Sequence, residues 1–474
     1  MLFQISVGDS FSWLPDRKMN LFLVLVWCLC LVTGKSGFGG TDEKWGYAKV
    51  NEKAHMFWWL YYTTATSDYT QRPLVIWLQG GPGGSSTGIG NFLEIGPVDV
   101  TQQPREINWI SYLNVLFVDN PVGTGFSYVE NNDTAYFAKN NTAIAQNFLV
   151  FLQGFLNENS EFQKVPIYIF GQSYGGKMAV DIAWLINQES KAGNVNCNLK
   201  GIALGDSWIS PIDSLISWPN YLYNLGFLDT EEFNTLKTVT DYIQEDVANG
   251  NFENATQYFH ATQFIINKFT SVDYYNVMKE QNKVYNLRNS EWKENPEDVY
   301  VLKGIIPDDI FESLINIKQV LKSQDEDDHQ TLYKLMNGPV KTALNISDIL
   351  PIEWGEQSDM VFRAVDLDFM KPVTELVERL LNETDIEVSV YNGQLDLIVD
   401  TPGTVAWVNK LHWRYSETWK ETERIPIVID NIYEGYQKRY KNFNLYWVHR
   451  AGHSVPADNP HTMASILKQI THID

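Results

Sequence analysis

Cysteine is scarce in this chain: Cys28, Cys30 and Cys197 are the only three in 474 residues. That count excludes a disulfide scaffold and a four-cysteine zinc site. Basic residues are outnumbered, with 36 Lys and Arg against 58 Asp and Glu, for a formal charge of −22. So acidic a surface excludes nucleic acid and anionic lipid as general electrostatic partners. Long apolar runs are missing too. The run Leu21–Val32 has 12 residues, short of the roughly 20 that span a bilayer. There is no internal repeat, no low-complexity tract and no H-E-x-x-H, and no G-K-[ST] completes the glycine cluster at Gly80–Gly84. No metal and no cofactor are therefore inferred. What is present is ordinary globular material, 44% hydrophobic with 31 Gly and 18 Pro, enough for a large core.

The N-terminus has a purpose of its own. Arg17 and Lys18 precede the apolar run, and the small residues of Val32-Thr33-Gly34 follow it. This is the layout of a secretory signal peptide over residues 1–34, with Met19 as an alternative start. Its removal takes Cys28 and Cys30 and leaves Cys197 as the one thiol. The charge is unchanged, because Asp9 and Asp16 leave with Arg17 and Lys18. No stable membrane association is expected after cleavage. Sequons at Asn132, Asn140, Asn254, Asn345 and Asn382 agree with a secretory route.

The rest reads as an α/β chain. Leu74–Leu78, Val115–Asp119, Val165–Phe170, Ile202–Leu204, Val388–Tyr391 and Leu445–His449 are short aliphatic runs that predict buried strands. Ala143–Leu156 and Met178–Gln188 carry helical spacing between them. Alternating strands and helices predict a mostly parallel central sheet flanked by helices. Residues 212–345 lose the strand pattern and read as an inserted, mainly helical cap. The core is then 35–211 and 346–474. The acidic run Asp325-Glu326-Asp327-Asp328 reads as an exposed loop and a site for proteolytic nicking.

Gly171-Gln172-Ser173-Tyr174-Gly175 matches G-x-S-x-G between a predicted strand and a predicted helix. Met178, Ile182, Leu185 and Ile186 put one apolar face on that helix. A strand–turn–helix elbow exposes its serine in a strained turn. The plain alternative is a glycine-containing βα turn. A serine hydroxyl needs a general base, and in an α/β-hydrolase the order is Ser, Asp or Glu, then His. Asp396 follows the strand at Val388–Tyr391, and His453 follows the one at Leu445–His449. His453 would take the Ser173 proton, and Asp396 would hold the imidazole. His461 is the rival base; His449 reads as a strand residue. Gln79-Gly80-Gly81-Pro82-Gly83-Gly84-Ser85-Ser86 ends another strand. Alone it would read as a surface turn. Beside the elbow, the N–H groups of Gly81 and Tyr174 form the natural oxyanion pair.

Several stretches together resemble the serine carboxypeptidase family. They are Gln79–Ser86, Glu94-Ile-Gly-Pro97, Asp119–Tyr128, Gly171–Gly176, Gly205–Pro211, Tyr391–Asp396 and Gly452-His453. The resemblance spans about residues 45–470. It implies an α/β-hydrolase fold, removal of C-terminal residues from peptides and proteins, usually at acidic pH, and a secreted or lysosomal location. It also implies Ser173, Asp396 and His453 as the triad, with Gly81 and Tyr174 at the oxyanion. A homodimer is left open.

Three departures stand out. Gln79, Gln172 and Gly84 occupy positions where the family usually has Asn, Glu and Cys. The Asn and Glu bind the substrate's terminal carboxylate in the family. Gln79 and Gln172 are expected to do so here with weaker acid dependence, because an amide donates at any pH. Glu94, which resembles the partner of that Glu, is the rival source of acid dependence. Two other readings are a binding or protective protein on the same fold and an acyltransferase.

Overall fold

The computed structural model describes residues 35–36, 38, 40–279, 296–315, 328–346 and 352–474. The expected signal peptide, with Cys28 and Cys30, and residues 325–327 of the acidic run lie outside the described residues. Among the described residues, twelve strands form one sheet. In chain order they are β1 (Lys35–Ser36), β2 (Asp42–Lys49), β3 (Ala54–Tyr61), β4 (Leu74–Leu78), β5 (Asn114–Val118) and β6 (Tyr128–Val129). Then follow β7 (Ile167–Gln172), β8 (Leu199–Gly205), β9 (Glu387–Gly393), β10 (Ile425–Ile429), β11 (Ile432–Tyr440) and β12 (Phe443–Val448). The spatial order is β1-β2-β3-β5-β4-β7-β8-β9-β12-β11-β10, with β6 beside β3.

The six middle strands, β5 to β12 in that order, are parallel. Both margins are antiparallel: β1-β2-β3 on one side and β12-β11-β10 on the other. The sequence predicts the six central strands and none of the marginal ones.

Alternation along each central strand builds two cores. Leu74, Ile76 and Leu78 of β4 face one apolar cluster, and Val75 and Trp77 face the other. Ile167 and Ile169 of β7 join the first, Tyr168 and Phe170 the second. Both faces must be covered, so these strands read as unbroken apolar runs. Helices α1 (Asn141–Glu158) and α2 (Tyr174–Lys191) cover the first face with Ile144, Phe148, Met178 and Ile182. The C-terminal helix Pro460–Thr471 covers the second with Met463, Ile466, Leu467 and Ile470. Asn140 starts α1 by accepting the Ala143 N–H at 2.9 Å.

Between β8 and β9 the described residues form helices and no strand. Among them are α3 (Pro211–Asn224), α4 (Thr230–Ala248) and α5 (Phe252–Thr270). No helix among the described residues is long and apolar enough to cross a membrane.

Candidate active site

Strand β7 delivers Ser173 to the carboxyl end of the sheet, where the chain turns into α2. Its backbone sits at φ 58°, ψ −128°, a region that L-residues rarely adopt. Three hydrogen bonds hold it there. Ser173 N–H donates to Gly205 O at 3.0 Å, and Ser173 O accepts from Gly176 N–H at 3.1 Å and Trp208 N–H at 2.9 Å. The flanking glycines allow the close approach. A Cβ on Gly175 would lie 2.1 Å from Leu78 O, and one on Gly176 would lie 1.9 Å from Ser207 Oγ.

His453 and Asp396 come from loops after β12 and β9, which are paired neighbours. His453 Nδ1 and Asp396 Oδ2 are 2.8 Å apart, and both residues are buried. The contact fixes Nδ1 as the protonated nitrogen and leaves Nε2 as the base. The loops are laced to a segment just after α5. His453 N–H donates to Tyr275 O at 2.7 Å, Leu397 N–H to Tyr274 O at 3.1 Å and Val277 N–H to Leu395 O at 2.9 Å. The Tyr275 ring packs 5.1 Å from the imidazole. Burial pulls His453 down to about 4, against the opposing charges of Asp206, Asp273 and Asp458. Among the described residues Ser173 Oγ and His453 make no direct hydrogen bond. The elbow reaches the histidine loop through Gln172, whose Nε2 donates to His453 O at 2.9 Å. Catalytic hydrogen bonds are often long in unliganded enzymes. His461 lies exposed on the C-terminal helix, and half-buried His449 follows β12.

The glycine-rich turn after β4 lies against the elbow. A Cβ on Gly80 would sit 2.5 Å from Ser173 Cβ and 2.9 Å from Tyr174 N. Gly81 has φ +112°. Among the described residues, neither Gly81 N–H nor Tyr174 N–H has an acceptor. Tyr174 N–H also opens the 18-residue helix α2, whose N-terminal dipole favours negative charge. The turn is fastened from two sides. Asp119 accepts from Ser85 Oγ at 2.9 Å and Thr87 N–H at 3.0 Å. Gln357 Nε2 donates to Pro82 O at 2.6 Å, and Ser358 N–H to Gly83 O at 3.0 Å.

Gln79, Gln172 and Glu94 form one buried cluster. Gln79 Nε2 donates to Glu94 Oε1 at 3.2 Å and to Gln172 Oε1, while Gln172 Nε2 reaches Glu94 Oε2 at 3.0 Å. Gln172 is fully buried, and its donors are spent on Glu94, His453 O and Ser454 Oγ. It presents no free N–H here, and neither does Gln79, whose two amide N–H groups go to Glu94 and Gln172. Gln79 keeps 8% exposure. Burial pushes Glu94 up to about 8, despite the two amides that favour its charged form.

Sequence motifs marked Ser173, Asp396, His453 and the glycine turn. They did not mark Tyr275 or Gln357, which sit in segments without a pattern and act through backbone and amide contacts.

Comparison with known proteins agrees with this geometry. The serine carboxypeptidase family model matches residues 36–472. Retinoid-inducible serine carboxypeptidase of Rattus norvegicus is 41% identical, over 90% of this chain and 91% of its own length. Serine carboxypeptidase-like 51 of Arabidopsis thaliana is 38% identical, covering 91% and 92%. Among solved structures, the Saccharomyces cerevisiae prohormone-processing carboxypeptidase Kex1 superposes with a TM-score of 0.74 at 22% identity, covering 93% and 95%. That likeness shows the same α/β-hydrolase fold. Matched from end to end of its sheet, the chain belongs to the serine carboxypeptidase family, serine-type hydrolases of peptide C-termini.

Proposed function

We propose that the chain cleaves the C-terminal peptide bond of peptides and proteins through an acyl-enzyme on Ser173, in acidic surroundings. The observation that carries the reading is the Asp396–His453 pair, whose loop is hydrogen-bonded to Gln172 of the elbow that strains Ser173 at φ 58°. Ser173 Oγ attacks the scissile carbonyl as His453 Nε2 takes its proton. The oxyanion meets the N–H groups of Gly81 and Tyr174. His453 then gives the proton to the leaving amine, and water repeats the sequence to release the shortened peptide. A base held near 4 stays neutral at pH 5, which supports work in acid. Asp396 holds the imidazole throughout.

We assign the carboxylate of the substrate to the cluster of Gln79, Gln172 and Glu94, in which Gln79 is the more exposed amide. Glu94 is neutral below about 8, so it adds no repulsion in acid. Residues 212–345 serve as the cap, since the segment Tyr274–Val277 holds both the Asp396 and His453 loops. A secreted or lysosomal location fits the sequons. Asn132, Asn140, Asn254 and Asn345 are exposed. Asn382 is not proposed as an acceptor, because its Nδ2 donates to His412 O at 3.2 Å and its Oδ1 accepts from Arg414 N–H at 2.8 Å.

The test is a peptide with a free C-terminus beside its C-terminal amide at pH 5. Loss of one residue from the free acid alone, abolished in Ser173→Ala, supports the reading. Equal cleavage of the amide, or cleavage that survives Ser173→Ala, overturns it.

A further inference from the structure

Behind His453 lies a second carboxylate that the mechanism above does not use. Asp206 follows β8, and its side chain is buried at 1% exposure. Side-chain ligand atoms of Asp206, Asp396 and His453 all lie within 4.8 Å of one another. Its backbone has φ +43°, an unusual conformation for a non-glycine residue. Asp206 N–H donates to Tyr391 O at 2.9 Å, which locks that turn onto β9.

Its two oxygens have different surroundings. Oδ1 accepts from Gly393 N–H at 2.7 Å and Asn392 Nδ2 at 2.8 Å. Those residues end β9, three positions before Asp396, so Asp206 pins the base of the Asp396 loop. Oδ2 has no donor among the described residues. What remains for it is the Asp396 carboxylate, which has an oxygen within 4.8 Å of an Asp206 oxygen. Two acceptors share a hydrogen bond only when one of them carries a proton. Two bare carboxylates so close in a dry site cannot both stay ionised.

We propose that Asp206 is a positioning residue that keeps its proton at working pH and donates it to Asp396, so that one negative charge stands behind His453. The inference rests on the assignment of His453 and Asp396 to catalysis. The direction of the proton follows from the surroundings. Burial raises both carboxylates well above the usual range, and at Asp206 the charge of Asp396 raises it further, whereas Asp396 Oδ1 accepts from Val399 N–H at 3.3 Å and Oδ2 faces His453 Nδ1 at 2.8 Å, which favours charge on Asp396. The other titratable groups facing the pair are Asp273, Asp400 and Asp458 and the phenols of Tyr221, Tyr275 and Tyr391. Lys279 lies beyond them, 3.1 Å from Asp458. A charge on Asp206 makes His453 more basic, and a neutral Asp206 makes it less so.

The experiment compares wild type, Asp206→Asn and Asp206→Ala by kcat and KM on a blocked dipeptide from pH 3.5 to 8.5. Asn keeps the acceptor for Gly393 and donates at every pH. We expect Asp206→Asn to stay within about threefold of wild type below pH 6, with the acid limb of kcat/KM unmoved. Asp206→Ala should lose about 100-fold in kcat at constant KM, the cost of a loosened base. An acid limb displaced downward by a pH unit or more in Asp206→Asn overturns the proposal, because it means a negative charge was removed. Full activity in Asp206→Ala overturns it too. Should Asp206→Ala fail to fold by near-UV circular dichroism, the Asn profile decides alone. If wild type shows no Ser173-dependent hydrolysis, the catalytic assignment itself falls, an outcome distinct from a shifted limb.

Discussion

The strain at Ser173 makes a prediction about stability that is separable from activity. At φ 58°, ψ −128° a side chain crowds its own backbone, and three hydrogen bonds to Gly205, Gly176 and Trp208 hold it there. Such a conformation costs a non-glycine residue about 1–3 kcal/mol. Ser173→Ala removes the nucleophile and keeps the strain. Ser173→Gly removes both, but glycine loses about 0.5–1 kcal/mol more than alanine in backbone entropy on folding. The difference leaves Ser173→Gly more stable than Ser173→Ala by about 1 kcal/mol. Urea unfolding at pH 5 measures this as a higher midpoint for the glycine variant at equal slope. Both variants are inactive. A glycine variant equal to or less stable than the alanine variant would refute the claim that the fold holds this serine against its preference.

Other expectations follow from contacts around the elbow. Gly80→Ala places a Cβ 2.5 Å from Ser173 Cβ. It should lower kcat at least about 100-fold while the protein stays folded by circular dichroism, at an overpacking cost of about 1–3 kcal/mol. Glu94 is raised from 4.5 to about 8, so the folded state holds an extra proton between those values and stability falls as pH rises through that window. At 1.36 kcal/mol per unit the change is at most about 5 kcal/mol, and Glu94→Gln should flatten it in unfolding measured at pH 5 and 8. The same ionisation keeps KM for a free-acid dipeptide nearly flat from pH 4.5 to 7 and raises it above 8; a steep rise just above pH 5 would contradict the assignment of the carboxylate to this cluster. Glycopeptide mapping of protein from a eukaryotic secretory host should find Asn382 unmodified.

Much of this was legible in the sequence, for identifiable reasons. Strands β4 and β7 are covered on both faces, so their apolar runs are unbroken and end in glycine turns. The catalytic loops follow such strands, and their order is visible. The margins were not legible. Strand β11 is half exposed and mixes Tyr, Gln, Lys and Arg, so it carries no clean alternation. Strand β3 is apolar on both faces, but no glycine turn flanks it. At the site, Gln172 read as a substrate contact because it stands where the family usually has a Glu that binds the carboxylate. Its period-two position on β7 turns it inward, toward Glu94 and the histidine loop. Asp206 stood inside a recognised motif, yet only the pairing of β8 with β9 shows what its side chain meets. Tyr275 acts through its carbonyl, which no residue pattern reveals.

The central claim is that Ser173 is the nucleophile and His453 its base. The most direct measurement is mass spectrometry of the protein after reaction with an organophosphonate at pH 5, for wild type, His453→Ala and Ser173→Ala. One adduct per chain on Ser173, slowed by orders of magnitude in His453→Ala and absent in Ser173→Ala, is the predicted result. Labelling of another residue, or of Ser173 at an unchanged rate without His453, would contradict it.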